Sequence, residues 1–238
     1  MPRISDEEIA AACQELESET PERILRWAVE RFFPKLLFST AFGSEGCCII
    51  HMLAAIEPGV RMINLDTGYQ FSETLELRKR IQSRYGVEVE LIKPELTVAE
   101  YEAEHGGPLY EMRSDQCCHD RKIVPLRQVI PGHDAWISSI RRQTRDRAGA
   151  TVVQWDPKFN LVKVNPLLNW TFKEVWSFIY KNDVPYNPLH DRNYPSIGCW
   201  PCTGPIENGE DERAGRWAGR QKNECGLHVI EHQGGSGI

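Results

Sequence analysis

No hydrophobic run in this sequence is long enough to cross a membrane. The longest apolar stretches, PKLLFSTAF and GCCIIHMLAAI, end well short of the roughly 18 to 20 residues that span a bilayer. The first residues are acidic and lack the basic start and apolar centre of a secretory signal. These absences predict a cytoplasmic protein without a membrane partner.

The chain also lacks an excess of positive charge. It has 28 Lys and Arg residues against 34 Asp and Glu residues, which gives a net charge of -6. A nucleic-acid partner bound by broad phosphate neutralisation would need the opposite balance, so we expect none, although local basic stretches could bind a small anion. Internal repeats, a Walker loop and a GxGxxG fingerprint are absent as well.

Cysteine, in contrast, is present eight times. In a reducing compartment, clustered cysteines more often hold a metal or carry out thiol chemistry than form a disulfide framework. The hydrophobic content of 41% over 238 residues is enough for a buried core in one large or two small domains.

Strand-like and helix-like segments alternate along the first half of the chain. The predicted strands are KLLFST, RMINLD, VEVELIK and, further on, AWISSI and VKVNPL. The predicted helices are a segment that begins after Thr20, EGCCIIHMLAAI, SETLELRKRIQSRYG and TFKEVWSFIYKN. This alternation predicts an α/β fold with an open, mainly parallel sheet flanked by helices. After about residue 186 the chain is rich in Pro, Gly and charge, which predicts a loop held by something other than a core.

A turn rich in Ser, Thr and Gly, STAFGSEG, follows the first predicted strand. Such a turn directs backbone N–H groups and a helix N-terminus at whatever lies above it, which suits phosphate or sulfate. The candidate residues are Ser39, Thr40, Gly43 and Ser44. Taken alone, a plain strand-to-helix turn is the better interpretation of this segment.

A second polar turn, LDTGYQF, ends the next strand. Ligands of open α/β sheets bind at the carboxyl ends of the strands, so two such turns in succession indicate a nucleotide crevice. The candidates here are Leu65, Asp66, Thr67 and Gly68. For Asp66 and Thr67, capping of the turn and of the following helix is an equal alternative.

Four cysteines stand in two pairs, Cys117-Cys118 and Cys199-x-x-Cys202. Four thiolates need a cation to be stable together, and they suit either zinc or a cubane iron-sulfur cluster. Zinc ligand pairs normally stand two to four residues apart, whereas a cluster offers separate irons to neighbouring thiolates. The spacing therefore favours a 4Fe-4S cluster, with two buried structural cysteine pairs as the alternative.

A lone cysteine, Cys225, stands in the segment KNECGLHV near the end of the chain. Lys222 and His228 could favour its thiolate, which makes it a candidate nucleophile, whereas Glu224 acts in the opposite direction. The alternatives are an inert exposed thiol for Cys225 and a structural imidazole for His228.

Two basic stretches, SSIRRQTRDRAGA and DERAGRW, stand out in an acidic protein. The guanidinium fork binds phosphate and sulfate oxygens bidentately, so some of these arginines are expected to contact an anion. The candidates are Arg141, Arg142, Arg145, Arg147, Arg213 and Arg216. A solvated face is the alternative for Arg145.

Together these motifs resemble the assimilatory sulfonucleotide reductases, specifically the adenylyl-sulfate (APS) reductases that carry an iron-sulfur cluster. The resemblance runs from about Leu36 to His228 and rests on the cysteine pair followed by Arg-Lys, the Cys-x-x-Cys motif and ECGLH. STAFGSEG and LDTG resemble that family's modified phosphate loop, which implies an adenine-nucleotide alpha-hydrolase-like fold related to the ATP-pyrophosphatases. Two departures stand out: Ser139-Ile140 replaces the family's usual Thr-Gly, and AGRQKN replaces the aromatic-rich insert of some members.

The resemblance implies a thioredoxin-dependent reduction of APS to sulfite and AMP in assimilatory sulfate reduction. Cys225 would attack the sulfate sulfur, displace AMP and become an S-sulfocysteine, from which thioredoxin or a similar dithiol would release sulfite; His228 belongs to the same catalytic segment. By the match, the cluster ligands are Cys117, Cys118, Cys199 and Cys202. The implied substrate contacts are Lys122, Arg141, Arg142, Arg213 and Arg216 at the phosphate or sulfate, with Leu65 to Gly68 near the nucleoside.

The implied organisation is a sulfonucleotide-binding domain over residues 1–205 and a flexible C-terminal segment over 206–238 that carries the nucleophile. Four cluster cysteines favour APS as the substrate, and the 3'-phosphorylated substrate PAPS, or dual specificity, is the alternative. An iron-sulfur tRNA thiolation enzyme would need an SGGxDS loop and a basic face, both of which this sequence lacks. A zinc-stabilised binding module is a third hypothesis, and a homo-oligomer is left open.

Overall fold

The computed structural model describes residues 4–143, 149–222 and 224–228. Its strands are β1 (Leu36–Ser39), β2 (Arg61–Leu65), β3 (Val89–Ile92), β4 (Ala135–Ile137), β5 (Val153–Asp156) and β6 (Leu161–Val164). They form one six-stranded sheet in the order β3-β2-β1-β4-β6-β5. All neighbours pair in parallel except β5 and β6, which are antiparallel. The prediction of a mainly parallel α/β sheet is confirmed.

Helices cover this sheet. The described α-helices are α1 (Asp6–Leu16), α2 (Pro21–Phe32), α3 (Ser44–Ile56), α4 (Ser72–Tyr85), α5 (Val98–His105), α6 (Leu109–Met112), α7 (Ser114–Cys118), α8 (Val124–Val129) and α9 (Phe172–Asn182). A π-helical turn, His119–Ile123, joins α7 to α8, and two 3-10 turns lie at Pro188–Arg192 and Trp200–Cys202. None of the helices within the described ranges has the length and apolar character needed to cross a membrane.

Local signals set the helix ends where the sequence predicts them. Thr20 caps α2 through a hydrogen bond from Arg23 N, and Thr171 forms a capping box with Glu174 at the start of α9. Gly86 ends α4 in the left-handed conformation, with φ of 68°.

The central strand β1 is buried on both faces. Leu36 and Phe38 belong to the main apolar cluster, whereas Leu37 packs on the opposite face with Ile63 and Trp136. Strands covered by helices on both sides read as continuous apolar runs, as KLLF does. Because β1, β2 and β4 are parallel, their carboxyl ends meet at one edge of the sheet, and the polar turns that follow them come together there.

Candidate active site

A cleft of about 210 Å³ opens at the carboxyl ends of the parallel strands. Ser39 at the end of β1, Leu65 at the end of β2 and Ser139 after β4 all contribute to its wall. The predicted site residues that line it are Ser39, Thr40, Gly43, Leu65, Thr67, Lys122, Arg141, Cys199, Arg213, Arg216, Cys225 and His228. The fold thus gathers residues that lie nearly 190 positions apart, since Ser39 and His228 share the same cleft.

The first polar turn is held by its own threonine. Thr40 Oγ1 accepts a hydrogen bond of 3.0 Å from Phe42 N, and Asn64 Nδ2 donates to Thr40 O at 2.8 Å. A Cβ on Gly46 would lie 2.5 Å from Thr40 Oγ1, so α3 can approach the turn this closely only with glycine there. Helix α3 begins after Gly43 at the cleft wall, an arrangement that suits an anion.

The second polar turn is clamped by a buried arginine. Arg121 Nε donates to Thr67 O at 2.6 Å, and its Nη atoms donate to Leu96 O at 3.3 Å. Its guanidinium also lies over the rings of Tyr69 and Tyr101, at 5.4 and 4.9 Å from their centroids. Arg121 therefore fixes the position of Thr67 in the cleft.

Asp66 and Gly68 build this turn and do not line the cleft. Asp66 Oδ1 accepts a hydrogen bond of 3.0 Å from Gly68 N, which is the turn-capping alternative expected for an aspartate here. Gly68 has φ of 77°, and a Cβ on it would lie 2.6 Å from Val98 Cγ2. Ser44, another predicted contact, is buried and donates its hydroxyl to Glu45 at 3.0 Å.

The four paired cysteines line one small cavity beside the cleft. Cys117 and Cys118 come from α7, whereas Cys199 caps the turn Trp200–Cys202 and Cys202 is its last residue. All four are free thiols. The second pair is held against the polar turn after β2, because Thr67 Oγ1 lies 3.2 Å from Cys199 Sγ and Trp200 N donates to Tyr69 O at 2.8 Å. Cys199 lines both the small cavity and the cleft.

These thiols oppose one another's ionisation. Burial, followed by the neighbouring thiols of Cys118, Cys199 and Cys202, raises the pKa of Cys117 to about 12. Burial and then Cys199 likewise raise the pKa of Cys202. Four thiols that share one cavity suit a bound cationic group. Over the described ranges, no group of three or more His, Cys, Asp or Glu side chains that could hold a metal ion is found.

Lys122 lies between the cysteine cavity and the cleft, and it lines both. Burial lowers the pKa of its ammonium, but the thiols of Cys199, Cys225 and Cys118 outweigh burial, so that the pKa is raised overall. Cysteine side chains in both cavities therefore favour the charged form of the lysine.

Two arginines of the cleft are paired with carboxylates. Arg141 is 2% exposed, and its Nε donates to Glu45 Oε1 at 2.6 Å while its Nη2 donates to Glu212. Burial lowers the pKa of Arg141, but Glu45 and Glu212 raise it overall. Arg213 pairs with Glu224 at 3.3 Å. These ion pairs keep the cations in place at the site where an anion would bind.

Arg216 is held by the chain that follows the second cysteine pair. Its Nε donates to Cys202 O at 3.4 Å, and its guanidinium lies 4.4 Å from the ring centroid of Trp217. Burial, followed by the charge of Arg213, lowers the pKa of Arg216.

Arg142 does not reach the cleft. Its guanidinium is held elsewhere, because it donates to Glu17 Oε1 at 2.7 Å and also to Asn169. Arg145 and Arg147 lie outside the described residues.

The described part of the C-terminal segment packs over the cleft. Lys222 Nζ donates to Ser114 O at 2.9 Å and pairs with Asp115 at 2.8 Å. The ring of His228 stacks on Trp136 with centroids 5.3 Å apart and 20° between the planes. These contacts place Cys225 in the wall of the cleft.

Residues 35–205 match the family described as the phosphoadenosine phosphosulfate reductase domain. The chain belongs to this family. Its relatives include "Adenosine 5'-phosphosulfate reductase 1" of Bacillus subtilis (strain 168), which is 45% identical over 86% of this chain and 89% of the relative. "Phosphoadenosine 5'-phosphosulfate reductase" of Gloeobacter violaceus is 43% identical over 90% of each chain. The resemblance drawn from the motifs is confirmed at the level of the family.

Solved structures agree with this membership. The phosphoadenylyl-sulfate (PAPS) reductase from Candida auris, solved as a phosphate complex, has a TM-score of 0.77 and 31% identity, covering 85% of this chain and 99% of that one. The FMN adenylyltransferase of Candida glabrata, covering 87% of this chain and 72% of its own, has a TM-score of 0.59 at 16% identity and shares the fold alone. The predicted adenine-nucleotide alpha-hydrolase-like fold is confirmed.

The sequence does not predict several residues that line the cleft of this member of the phosphoadenosine phosphosulfate reductase family. They are Glu45, Asn64, Gln70, Trp136 and Glu212. The sequence contains a signal for Asn64, because a polar residue inside the buried strand RMINLD needs hydrogen-bond partners. In the structure, Gln70 Nε2 donates to Asn64 Oδ1 at 2.6 Å. The glutamates carry no local signal, since their ion pairs form only in the folded chain.

Proposed function

We propose that this protein is an adenylyl-sulfate reductase, an oxidoreductase that reduces APS to sulfite and AMP in cytoplasmic sulfate assimilation for cysteine biosynthesis. The observation that carries the proposal is that the thiol of Cys225 shares one cleft with Lys122, Arg213 and Arg216. Attack by a thiolate on a sulfate brings two negative charges together, so nearby cations are needed to stabilise the transition state. Relatives named adenosine 5'-phosphosulfate reductase, at 42–45% identity, support this substrate.

The reaction balances in three steps. The Cys225 thiolate forms a bond to the sulfur of the substrate's sulfate group while the bond from that sulfur to the bridging phosphate oxygen breaks, and AMP leaves with the electron pair. One thiol of thioredoxin, or of a similar dithiol, then attacks Cys225 Sγ, and sulfite leaves with the electron pair of the S–S bond. The second thiol releases the enzyme thiol, so that the dithiol is oxidised to a disulfide and the sulfate sulfur is reduced to sulfite.

The chain's own groups offset the charge in the first step. Lys122 stabilises the approaching thiolate of Cys225, and Cys225 is one of the side chains that raise the pKa of Lys122. Arg141, Arg213 and Arg216 bind the phosphate and sulfate oxygens. Glu212 and Glu224, which pair with Arg141 and Arg213, compete with these oxygens for the two arginines.

The second part of the proposal is that Cys117, Cys118, Cys199 and Cys202 hold a 4Fe-4S cluster. The four thiols share one cavity, and their mutual repulsion and burial favour a bound cationic group. When bound, the cluster would offset the charge of its four thiolate ligands and would hold rigid the segment that carries Lys122, the cation that lines both cavities. Cys199, which lines both cavities, would connect the cluster ligands to the cleft.

The third part concerns organisation. Residues 1–205 form the sulfonucleotide-binding unit, and the segment 206–238 carries the nucleophile, closes over substrate and moves out to meet the dithiol. The contacts of Lys222 with Ser114 and Asp115 support a closed position of this segment.

The test is to mix the enzyme with APS, or with PAPS, in the absence of any reductant. We expect one AMP released per chain and a mass gain of one sulfonate group on the peptide that contains Cys225, with a higher kcat/KM for APS in full turnover. No adduct from a preparation that turns over would overturn the assigned chemistry. Comparable kcat/KM values for the two substrates would overturn the preference for APS, an outcome that the PAPS reductase relatives make worth testing.

Gly198 offers a test of Arg216 that leaves the arginine itself unchanged. A Cβ on Gly198 would lie 2.3 Å from Arg216 Nη2, so Gly198→Ala must push the guanidinium away, which a flexible side chain allows without unfolding. Because a charge-assisted hydrogen bond is lost, we expect kcat/KM for APS to fall about tenfold with Tm nearly unchanged. Gly149→Ala is the matched control, since an added Cβ there meets nothing within 4 Å. Equal kcat/KM in both variants would contradict a substrate contact by Arg216.

A further inference from the structure

The turn between β5 and β6 contacts the segment that carries Cys225. Lys158 Nζ donates a hydrogen bond of 2.6 Å to the carbonyl oxygen of Gly226, the residue that follows the nucleophile. Gly226 has φ of 81°, and a Cβ on it would lie 3.4 Å from Ile123 Cδ1. The peptide next to Cys225 is thus anchored by a cation from a part of the sheet to which the proposed mechanism assigns no role.

The turn places Lys158 firmly. Asp156 Oδ1 accepts hydrogen bonds from Lys158 N at 3.1 Å and from Phe159 N at 3.3 Å. Asn160 N donates to Asp156 O at 2.8 Å, and Asn160 adopts the left-handed conformation with φ of 57°. All these bonds involve the backbone of the turn, so they persist when the side chain of Lys158 is changed.

The same turn supports the surface on which the next two residues dock. Phe159 packs edge-to-face on Trp136 at 5.4 Å, and His228 stacks on that tryptophan. Leu227 packs against the apolar cluster that contains Phe159 and Trp136. Three consecutive residues of the segment are therefore bound by a hydrogen bond, an apolar contact and a ring stack, and the hydrogen bond is the contact that can break without exposing apolar surface.

We propose that Lys158 is a positioning residue that holds the Cys225 segment closed, with the thiol in the cleft. The inference deepens the proposed function and rests on it for the identity of the reaction. An ammonium that binds a carbonyl oxygen fixes the backbone at one point and leaves the thiol free to react. When the segment leaves the cleft to meet the dithiol, water replaces this hydrogen bond on both partners, so the bond itself does not prevent opening.

The test separates the two half-reactions in Lys158→Met, Lys158→Arg and a matched control, Lys181→Met, which changes an exposed lysine of α9. In Lys158→Met we expect formation of the sulfonate adduct from APS to slow about tenfold, as for loss of a charge-assisted hydrogen bond. Release of sulfite from the preformed adduct by dithiothreitol is expected to stay equal or become faster. Lys158→Arg, which keeps a donor, is expected to restore most of the first rate.

Hydrogen-deuterium exchange of the peptide over residues 224–228 gives a readout that needs no substrate. We expect faster exchange in Lys158→Met than in the wild type, the Arg variant or Lys181→Met, because the closed state is less populated. Unchanged exchange together with an unchanged adduct rate would overturn the proposal. A parallel loss in both half-reactions and in Tm would also overturn it, since this marks a structural role. If the wild type forms no adduct, the proposed function fails, whereas the exchange experiment still decides the role of Lys158.

Discussion

Replacing Cys225 by Ser is expected to lower the turnover of APS to sulfite by about 10³-fold or more, down to background. A serine hydroxyl is far less ionised than a thiol at neutral pH, and a sulfate ester on serine could not be resolved by thiol attack at an S–S bond. Lys122, Arg213 and Arg216 keep their places in the cleft, so binding of AMP should change little. Sulfite production and the mass of the C-terminal peptide after mixing with APS measure the effect.

The matched control for this variant is Cys13→Ser, which changes a half-buried free thiol of α1 far along the chain from the cleft. Its turnover should equal that of the wild type. An adduct on any other cysteine, or sulfite formation by Cys225→Ser at a rate near the wild type, would refute Cys225 as the nucleophile.

The sheet is predictable from the sequence because its strands carry local signals. KLLFST and RMINLD are apolar runs ended by polar turns, and they became β1 and β2. The strand β5 is not predicted from the sequence. VQWD is a short edge strand that pairs antiparallel with β6, so it forms because of this pairing and not because of an apolar pattern of its own. The helices α6, α7 and α8 are four to six residues long, below the length at which periodicity can be recognised.

For the candidate site, the sequence predicts which turns meet but not which side chain of a turn faces the cleft. Arg141 and Arg142 are chemically identical neighbours, and only folding reveals that the first lines the cleft while the second binds Glu17. Arg121 is a similar case, because its role as a clamp on Thr67 depends on Tyr69 and Tyr101, which come from other elements. Roles that rest on contacts between distant segments carry no local signal.

Replacing a cysteine of the small cavity is expected to have the second large effect. In Cys202→Ala we expect loss of iron, of acid-labile sulfide and of the brown colour with its broad visible band, because one of four proposed ligands is missing. The variant also removes the contact of Cys202 Sγ with Arg220 Nη1 at 3.7 Å, whereas the backbone oxygen to which Arg216 Nε donates is kept. Turnover should therefore fall about 100-fold, in the range known for disturbed metal sites.

A comparison with Cys48→Ala separates ligation from burial. Both Cys48 and Cys202 are buried thiols whose pKa burial raises, but Cys48 lies in α3 against Val175 and outside the small cavity. Cys48→Ala should lower Tm as a core truncation does while the iron content and the colour remain. Metal binding stabilises the folded state that holds the metal, so Cys202→Ala should lose the metal and have a lower Tm than the wild type. A colourless wild-type protein with one zinc per chain would exclude the cluster, and equal iron in the two variants would exclude Cys202 as a ligand.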